Sequence, residues 1–307
     1  MIGTALHYLG NQSEARHHIE HMLDRHVAPA PPSQILRFQF DQRGLAQVYL
    51  SRILWLKGFP EQAVRTAQRS VEAARAIGHP LSLCIALADA ACPVGFAVGD
   101  LASVEANAAI LLEHSAKHGL HTWNAWARGI NGAVSIRRGD VVTGLGLLRS
   151  AINEVRGTGF VQRNRVFFGF MALGLLRAVQ AAEGLSIIDK AFPQSDDNQE
   201  HWCSAELLRI KGELLLLEDA PGTTVSAEFH FRQALDCALR QGALSLELRA
   251  ATSLARLWQS HTRSEEAREL LAPIYERFTE GFDTSDLKAA KSLIDDLSQT
   301  ARVIRAH

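Results

Sequence analysis

Residues 253–271 read SLARLWQSHTRSEEARELL. Apolar residues recur every three or four positions on both sides of a polar corner at His261 and Thr262, which predicts two helices joined by a tight turn. Ala255 and Ala267 stand twelve positions apart, one on each predicted helix. The stretch is compatible with a helix-turn-helix that reads DNA and with a helical hairpin that stacks on its neighbours. The pattern of the rest of the chain distinguishes between these two interpretations.

Similar turns recur along the chain. Four have the form Gly-x-x-x-x-small: GNQSEA (10–15), GFPEQA (58–63), GDLASV (99–104) and GDVVTG (139–144). Three degenerate copies, interpreted as having lost the glycine, end at Gly184, Ala227 and Ala267. The small residues that close these turns lie 40 to 48 positions apart, as the numbering 15, 63, 104, 144, 184, 227 and 267 shows. A period near 40 is typical of repeated helical hairpins.

A second set of small residues supports the hairpins. It lies on the first helix of each predicted pair, twelve positions before the closing small residue or, for Gly212, three further back: Ser51, Cys92, Gly132, Ala172, Gly212 and Ala255. Small residues on both helices allow close approach, and stacked hairpins then share a core. Strand-like alternation is nearly absent, so the sequence predicts an all-α fold.

The small-residue spacing resembles the tetratricopeptide repeat (TPR), with a longer period and few of its signature aromatics. The stretches AELLRIKGELLL (205–216), FRQALDCALRQGALSLELRAATSLARLW (231–258) and RELLAPIYERFTEGFDTSDLKAAKSLIDDL (268–297) resemble the C-terminal TPR region of bacterial signal-transduction ATPases, adenylate-cyclase-type proteins and winged-helix regulators. This resemblance implies a right-handed α-solenoid of about seven hairpins in a single domain, 1–307. The expected units are 1–30 (truncated), 34–78, 80–119, 121–159, 161–195, 200–242 and 244–280, followed by a capping helix at 284–298.

The resemblance also implies function. In that family the repeat array senses or binds a partner, whereas ATP binding and output lie upstream. We therefore expect a non-enzymatic scaffold that binds a protein, a peptide, an upstream ATPase domain or a small effector. The chain starts inside a hairpin, so it is interpreted as a fragment, or as a short reading frame that corresponds to the tail of a longer ancestor. A homodimer through the truncated first unit is a further hypothesis.

Composition and motifs argue against other classes. Hydrophobic residues make up 47% of the chain and the net charge is −1, so no basic face for nucleic acid is indicated. The phosphate-loop, nucleophile-elbow and dinucleotide motifs are absent from the sequence, which predicts no cofactor and no catalytic residue. No signal peptide is recognised, the apolar stretches fall short of a membrane span, and the location is expected to be cytoplasmic.

Two alternatives remain. The first is a DNA-binding regulator that uses the helix pair at 253–271, although its second helix begins with the acidic stretch SEEARELL. The second is part of a nucleotide cyclase or ATPase whose catalytic domains lie outside this chain. His17 and His21 share a helical face, as do His114 and His118, but no HExxH motif accompanies them, their spacing fixes no acidic ligand nearby and the four cysteines form no CxxC pair, so no metal is predicted.

Candidate binding residues follow from the hairpin geometry, because first helices of such hairpins usually line a concave groove. Trp and Arg side chains there could hold a ligand. The candidates are Arg52, Trp55, Asp89, Trp123, Trp126, Arg128, Arg163 and Arg165. The alternative for the tryptophans is core packing. Asp89 interrupts an apolar helix and either pairs with an arginine of a neighbouring unit or faces the groove. Pro93 should kink the same helix.

Overall fold

A computed structural model describes residues 2–25, 41–157, 165–192, 200–218 and 220–305. In these ranges the chain forms 15 helices and no strand, which confirms the all-α class. The helices are α1 (Ile2–Tyr8), α2 (Gln12–Arg25), α3 (Gln42–Leu56), α4 (Pro60–Ile77), α5 (Pro80–Val98), α6 (Leu101–Lys117), α7 (His121–Arg138), α8 (Val141–Gly157), α9 (Arg165–Arg177), α10 (Ala181–Ala191), α11 (Ser204–Glu218), α12 (Thr223–Gln241), α13 (Leu244–Ser260), α14 (Ser264–Tyr275) and α15 (Ser285–Arg305).

Helices pack in consecutive pairs, and the small residues lie where the two helices of a pair meet. The contacts between α7 and α8 are the most extensive, and those of α11 with α12 and α3 with α4 follow. A Cβ on Gly144 would lie 2.6 Å from the carbonyl oxygen of Gly132, its partner twelve positions earlier. The Cys92 thiol lies 3.9 Å from the carbonyl oxygen of Val104, again twelve positions away. Close approach at the small residues, as the sequence predicts, is therefore present in these pairs.

The same backbone conformation occurs in each of the seven turns named from the sequence. The residue five positions before the closing small residue has a positive φ: Gly10, Gly58, Gly99, Gly139, Val179, Gly222 and Thr262. One sequence interpretation needs correction, because Gly222 occupies this position in the sixth turn and that copy has not lost its glycine. Only Val179 and Thr262 lack it. A β-branched residue in the left-handed region is strained, whereas glycine is not.

Replacing Val179 with glycine should therefore stabilise the protein by about 1 kcal/mol, since the left-handed conformation costs a non-glycine residue ~1–2 kcal/mol. Val179 has φ 58° and is 72% exposed, so the change removes little packing. Urea denaturation of wild type and variant measures the effect. The matched control is Val142→Gly in α8, where valine is 85% exposed in right-handed helix and the change should destabilise. Equal shifts in both variants would contradict the prediction.

Helix α5 contains the irregularity that the sequence predicts at Pro93. A π-helical turn, Leu87–Ala91, precedes the proline, and the backbone N–H of Cys92 donates to the carbonyl of Leu87, five positions back. The wider turn accommodates a proline that cannot donate a backbone hydrogen bond. At 19 residues with a mean hydropathy of 1.9, α5 is long and apolar enough to cross a membrane, although the sequence predicts no such stretch. Within the fold 67% of it is buried, which is compatible with the core helix of a soluble protein.

The N-terminal third of the chain contacts the C-terminal third. The Gln62 side chain and backbone donate to the Glu280 carboxylate at 3.0 and 2.9 Å, and Gly281 N–H donates to Glu61 at 3.0 Å. Ser245 Oγ in α13 donates to the carbonyl of Trp55 in α3, 190 positions away, at 2.5 Å. The backbone N–H of His201, just before α11, donates to Tyr8 at 2.7 Å. These contacts narrow the expected groove to a partly open central cavity.

Candidate functional site

The central cavity lies between the first helices of successive pairs and has a volume of about 160 Å³. Residues of α1, α3, α5, α7, α9, α11 and α13 contribute to its wall, together with the segment before α11. Most wall residues are apolar, among them Phe96, Ile130, Phe170, Leu173, Leu207 and Ile210. The first helix of a pair is apolar on more than one face, because it contacts the second helix of its own pair, the next pair and this cavity.

The structure brings five of the eight candidate residues to the cavity: Arg52, Trp55, Asp89, Trp126 and Arg165. Trp126 also packs in the core, since its ring lies 4.3 Å from that of Phe167. Trp126 therefore both packs in the core and lines the cavity. Asp89, on the π-helical turn, is 3% exposed and has a partner.

The other candidates lie elsewhere. Trp123 is 9% exposed and lies outside the cavity wall, one helical turn before Trp126. Arg128 lies outside it as well, where its Nη1 donates to Glu154 of α8 at 2.8 Å. Arg163 falls outside the described residues. Only the face of α7 that includes Trp126 therefore reaches the cavity.

One end of the cavity combines aromatic rings with charges. The Arg52 guanidinium lies over the Trp202 ring at 4.3 Å. Arg165 is 2% exposed and donates from Nε and Nη2 to the Ala191 carbonyl at 3.1 and 2.8 Å, while its Nη1 has no hydrogen-bond partner. Burial and then Glu200 raise the pKa of the nearby Cys203 thiol to about 12. The thiol is therefore protonated at neutral pH and is not a nucleophile.

A network of ion pairs lies at the other end. Glu206 of α11 accepts from Arg209 at 2.9 Å and lies 3.5 Å from Arg249 of α13, which donates to Asp286 of α15 at 2.7 Å. Burial alone would raise the pKa of Glu206, but the two arginines outweigh it and hold this pKa at about 2. Trp55 lies beneath Arg249 at 4.9 Å. The network thus ties three separate hairpins and the closing helix to the cavity wall.

Sequence analysis missed the charged residues of this network. Glu206 and Arg209 lie in the quoted stretch AELLRIKGELLL, where charges interrupt an apolar helix as Asp89 does. That interruption is a usable signal for a buried pair. The partners Arg249 and Asp286 lie about 40 and 80 positions away, and nothing in local spacing indicates that they meet.

The remaining histidines and cysteines offer no chemistry that the structure supports. His17 stacks on His21 with ring centroids 6.3 Å apart, yet no group of three or more possible metal ligands occurs in the parts of the chain that are described. Burial raises the pKa of the Cys84 thiol to about 12. All four cysteines are free thiols.

The helix pair at 253–271 belongs to the stack. Ala255, Ala267 and Leu271 are fully buried. Arg263 at the turn donates to Glu266 at 2.7 Å and to Glu228 at 3.3 Å, and it covers the Trp258 ring at 4.4 Å. The cation that precedes the supposed recognition helix is thus paired with carboxylates, and Arg268 on that helix pairs with Glu265 at 2.8 Å.

Comparisons with known proteins identify no family for this chain. No protein-family model matches the sequence, and no curated protein is significantly similar to it.

Proposed function

We propose that this chain is a non-enzymatic binding protein whose central cavity holds a small effector. The observation that carries the proposal is the cavity itself: a mainly apolar enclosure with a few charged groups at its ends, surrounded by the first helix of every pair from α1 to α13. Concave apolar sites with a few placed polar groups are typical of small-molecule binding. A volume of about 160 Å³ favours a small molecule over an extended peptide.

The architecture in this proposal is a right-handed TPR-like α-solenoid of about seven hairpins, curled until its N-terminal and C-terminal thirds meet. The period near 40 and the seven left-handed turn residues support it. In this proposal the chain is the cytoplasmic sensor portion of a bacterial signalling ATPase or transcriptional regulator, and its protein partner is the upstream ATPase domain. A ligand that contacts both halves would stabilise the closed arrangement through mass action.

Leu173→Trp is expected to abolish effector binding. Leu173 lies on α9 in the cavity wall and is partly exposed there, so an indole in its place would fill the space. Native mass spectrometry and thermal shift, with a panel of small apolar acids, alcohols and amides, measure binding to the full chain.

The matched control is Leu239→Trp on α12, where leucine is 49% exposed and lies outside the cavity. This variant should bind as wild type does. Equal binding by both tryptophan variants would place the ligand elsewhere, and absence of saturable binding across the panel would overturn the effector proposal. Retention of the folded state is checked by circular dichroism in each variant.

A further inference from the structure

Four arginines and three carboxylates meet at the end of the cavity where α7 ends. The arginines are Arg137, Arg177, Arg209 and Arg249, and the carboxylates are Glu206, Glu213 and Asp286. Of these, Arg137, Glu206 and Arg249 line the cavity itself. The cations therefore exceed the anions by one at this end (four minus three).

Each of these three carboxylates already forms an ion pair with an arginine other than Arg137. Arg209 lies 2.9 Å from Glu206 and 3.3 Å from Glu213, and Arg249 lies 2.7 Å from Asp286. Arg177 donates to the backbone carbonyls of Ile136 and Arg137 at 2.7 and 3.3 Å. Among the described residues, the Arg137 guanidinium has no ion pair and no side-chain hydrogen bond.

The surroundings of Arg137 disfavour its positive charge. Burial first, and then the charge of Arg249, lower the pKa of Arg137 from its ordinary value. A half-buried guanidinium without a counter-ion gains when an anion binds it, because a charge removed from water is costly until it is paired. Its planar array of N–H donors fits two oxygens of one carboxylate.

We propose that Arg137 binds the carboxylate of a small organic anion whose aryl or short alkyl body fills the central cavity. This inference rests on the proposed function and names its ligand class. The apolar wall beyond Arg137, with Ile130 two helical turns before it on the same face of α7, accommodates the body of the ligand. A dry cavity of about 150 Å³ in another protein holds benzene, and the volume here is about 160 Å³.

The opposite end of the cavity is less suited to an anion. Arg165 also has an unpartnered N–H there, at Nη1. However, Arg165 already donates from Nε and Nη2 to the Ala191 carbonyl, and Glu200 lies in the same part of the cavity wall. Trp126, near that end, and Arg137 are eleven positions apart on α7, roughly 16 Å by helix rise. The two ends are thus distinct sites. Arg52 at the far end lies over the Trp202 ring, whereas Arg137 has no ring contact, ion pair or side-chain hydrogen bond among the described residues.

The test compares acids with alcohols of the same skeleton. Hexanoate, octanoate and phenylpropanoate, with hexanol, octanol and phenylpropanol, are titrated into the full chain by calorimetry. We expect the acids to bind ~10- to 100-fold more tightly than the alcohols, as charge-assisted hydrogen bonds suggest. Arg137→Gln should remove this preference and leave alcohol binding unchanged. Arg137→Gln should also keep the wild-type melting temperature, because no ion pair is broken.

Arg128→Gln is the matched control, since Arg128 pairs with Glu154 outside the cavity and its loss should leave the preference for acids intact. Equal affinity for acids and alcohols, with both lost in Leu173→Trp, would overturn the carboxylate site and leave the effector proposal standing. Loss of the preference in Arg128→Gln as well would overturn the assignment to Arg137. Absence of binding by any compound would overturn both proposals.

Discussion

Glu206→Gln is expected to lower the free energy of unfolding by about 3 kcal/mol at neutral pH. Glu206 is 19% exposed and balances Arg209 and Arg249, which are 15% and 18% exposed. The glutamine keeps the shape of the side chain but leaves the two largely buried arginines with less counter-charge. Urea denaturation followed by circular dichroism measures the loss.

The pH dependence of stability gives an independent measure of the same carboxylate. Its pKa is about 2 in the folded protein against an ordinary value of 4.5. A depressed carboxylate pKa contributes stability that is complete above the unfolded value and is lost as the pH falls through the folded one. The difference in stability between wild type and Glu206→Gln should therefore shrink as the pH falls from 4.5 towards 2.

Glu72→Gln on α4 is the control for Glu206→Gln. Glu72 is exposed, and its replacement should change stability by less than about 0.5 kcal/mol. If Glu206→Gln proved as mild as Glu72→Gln, or if its effect did not depend on pH in the acid range, the ion-pair network would not stabilise the fold as described.

Gly144→Ala should destabilise the protein by about 2 kcal/mol, although alanine favours helices. Its added methyl group would lie 2.6 Å from the Gly132 carbonyl oxygen and 2.6 Å from Ile136. Because backbone atoms form this contact, relief requires α7 and α8 to move apart. Thermal and urea denaturation measure the change.

Gly146→Ala, two positions later on the same helix, is the matched control. Nothing lies within 4 Å of its added Cβ, so the variant should be stabilised by about 1 kcal/mol through helix propensity. Both changes restrict the unfolded chain equally, and their difference reports the close contact alone. Shifts of the same sign in both variants would show that α7 and α8 do not approach as closely as the structure has them.

Local patterns in the sequence were sufficient for the helices and the turns. Small residues twelve positions apart, such as Gly132 and Gly144, predicted helix contacts that the structure contains. The glycine turns predicted hairpin corners, and the same φ sign at Val179 and Thr262 shows that the corner persists where glycine is missing. Gly222 follows Pro221 in the longer turn DAPGTT, which hides its equivalence to the other turn glycines.

Sequence analysis found residues of the cavity wall where a bulky or charged side chain stands in a first helix. Trp55, Asp89 and Trp126 stand out in this way and line the cavity. It did not separate Trp126 from Trp123. These two residues are three positions apart on one helix, and tertiary packing decides which of them points into the cavity. Sequence analysis missed Arg137 because an arginine close before a turn glycine is common. The lack of an ion pair distinguishes it, and that is visible only in the structure.

The sequence by itself determined the all-α class, the consecutive pairing of helices and the positions of the turns, because these depend on residues within about 40 positions of each other. Only the tertiary structure decided that the N-terminal and C-terminal thirds of the chain contact each other, that the first helices surround a cavity and that Arg137 is left without a carboxylate. Those features depend on contacts such as Ser245 with Trp55, 190 positions apart. Contacts at that separation depend on how many stacked helices are placed relative to one another. A local sequence pattern carries no information about that placement.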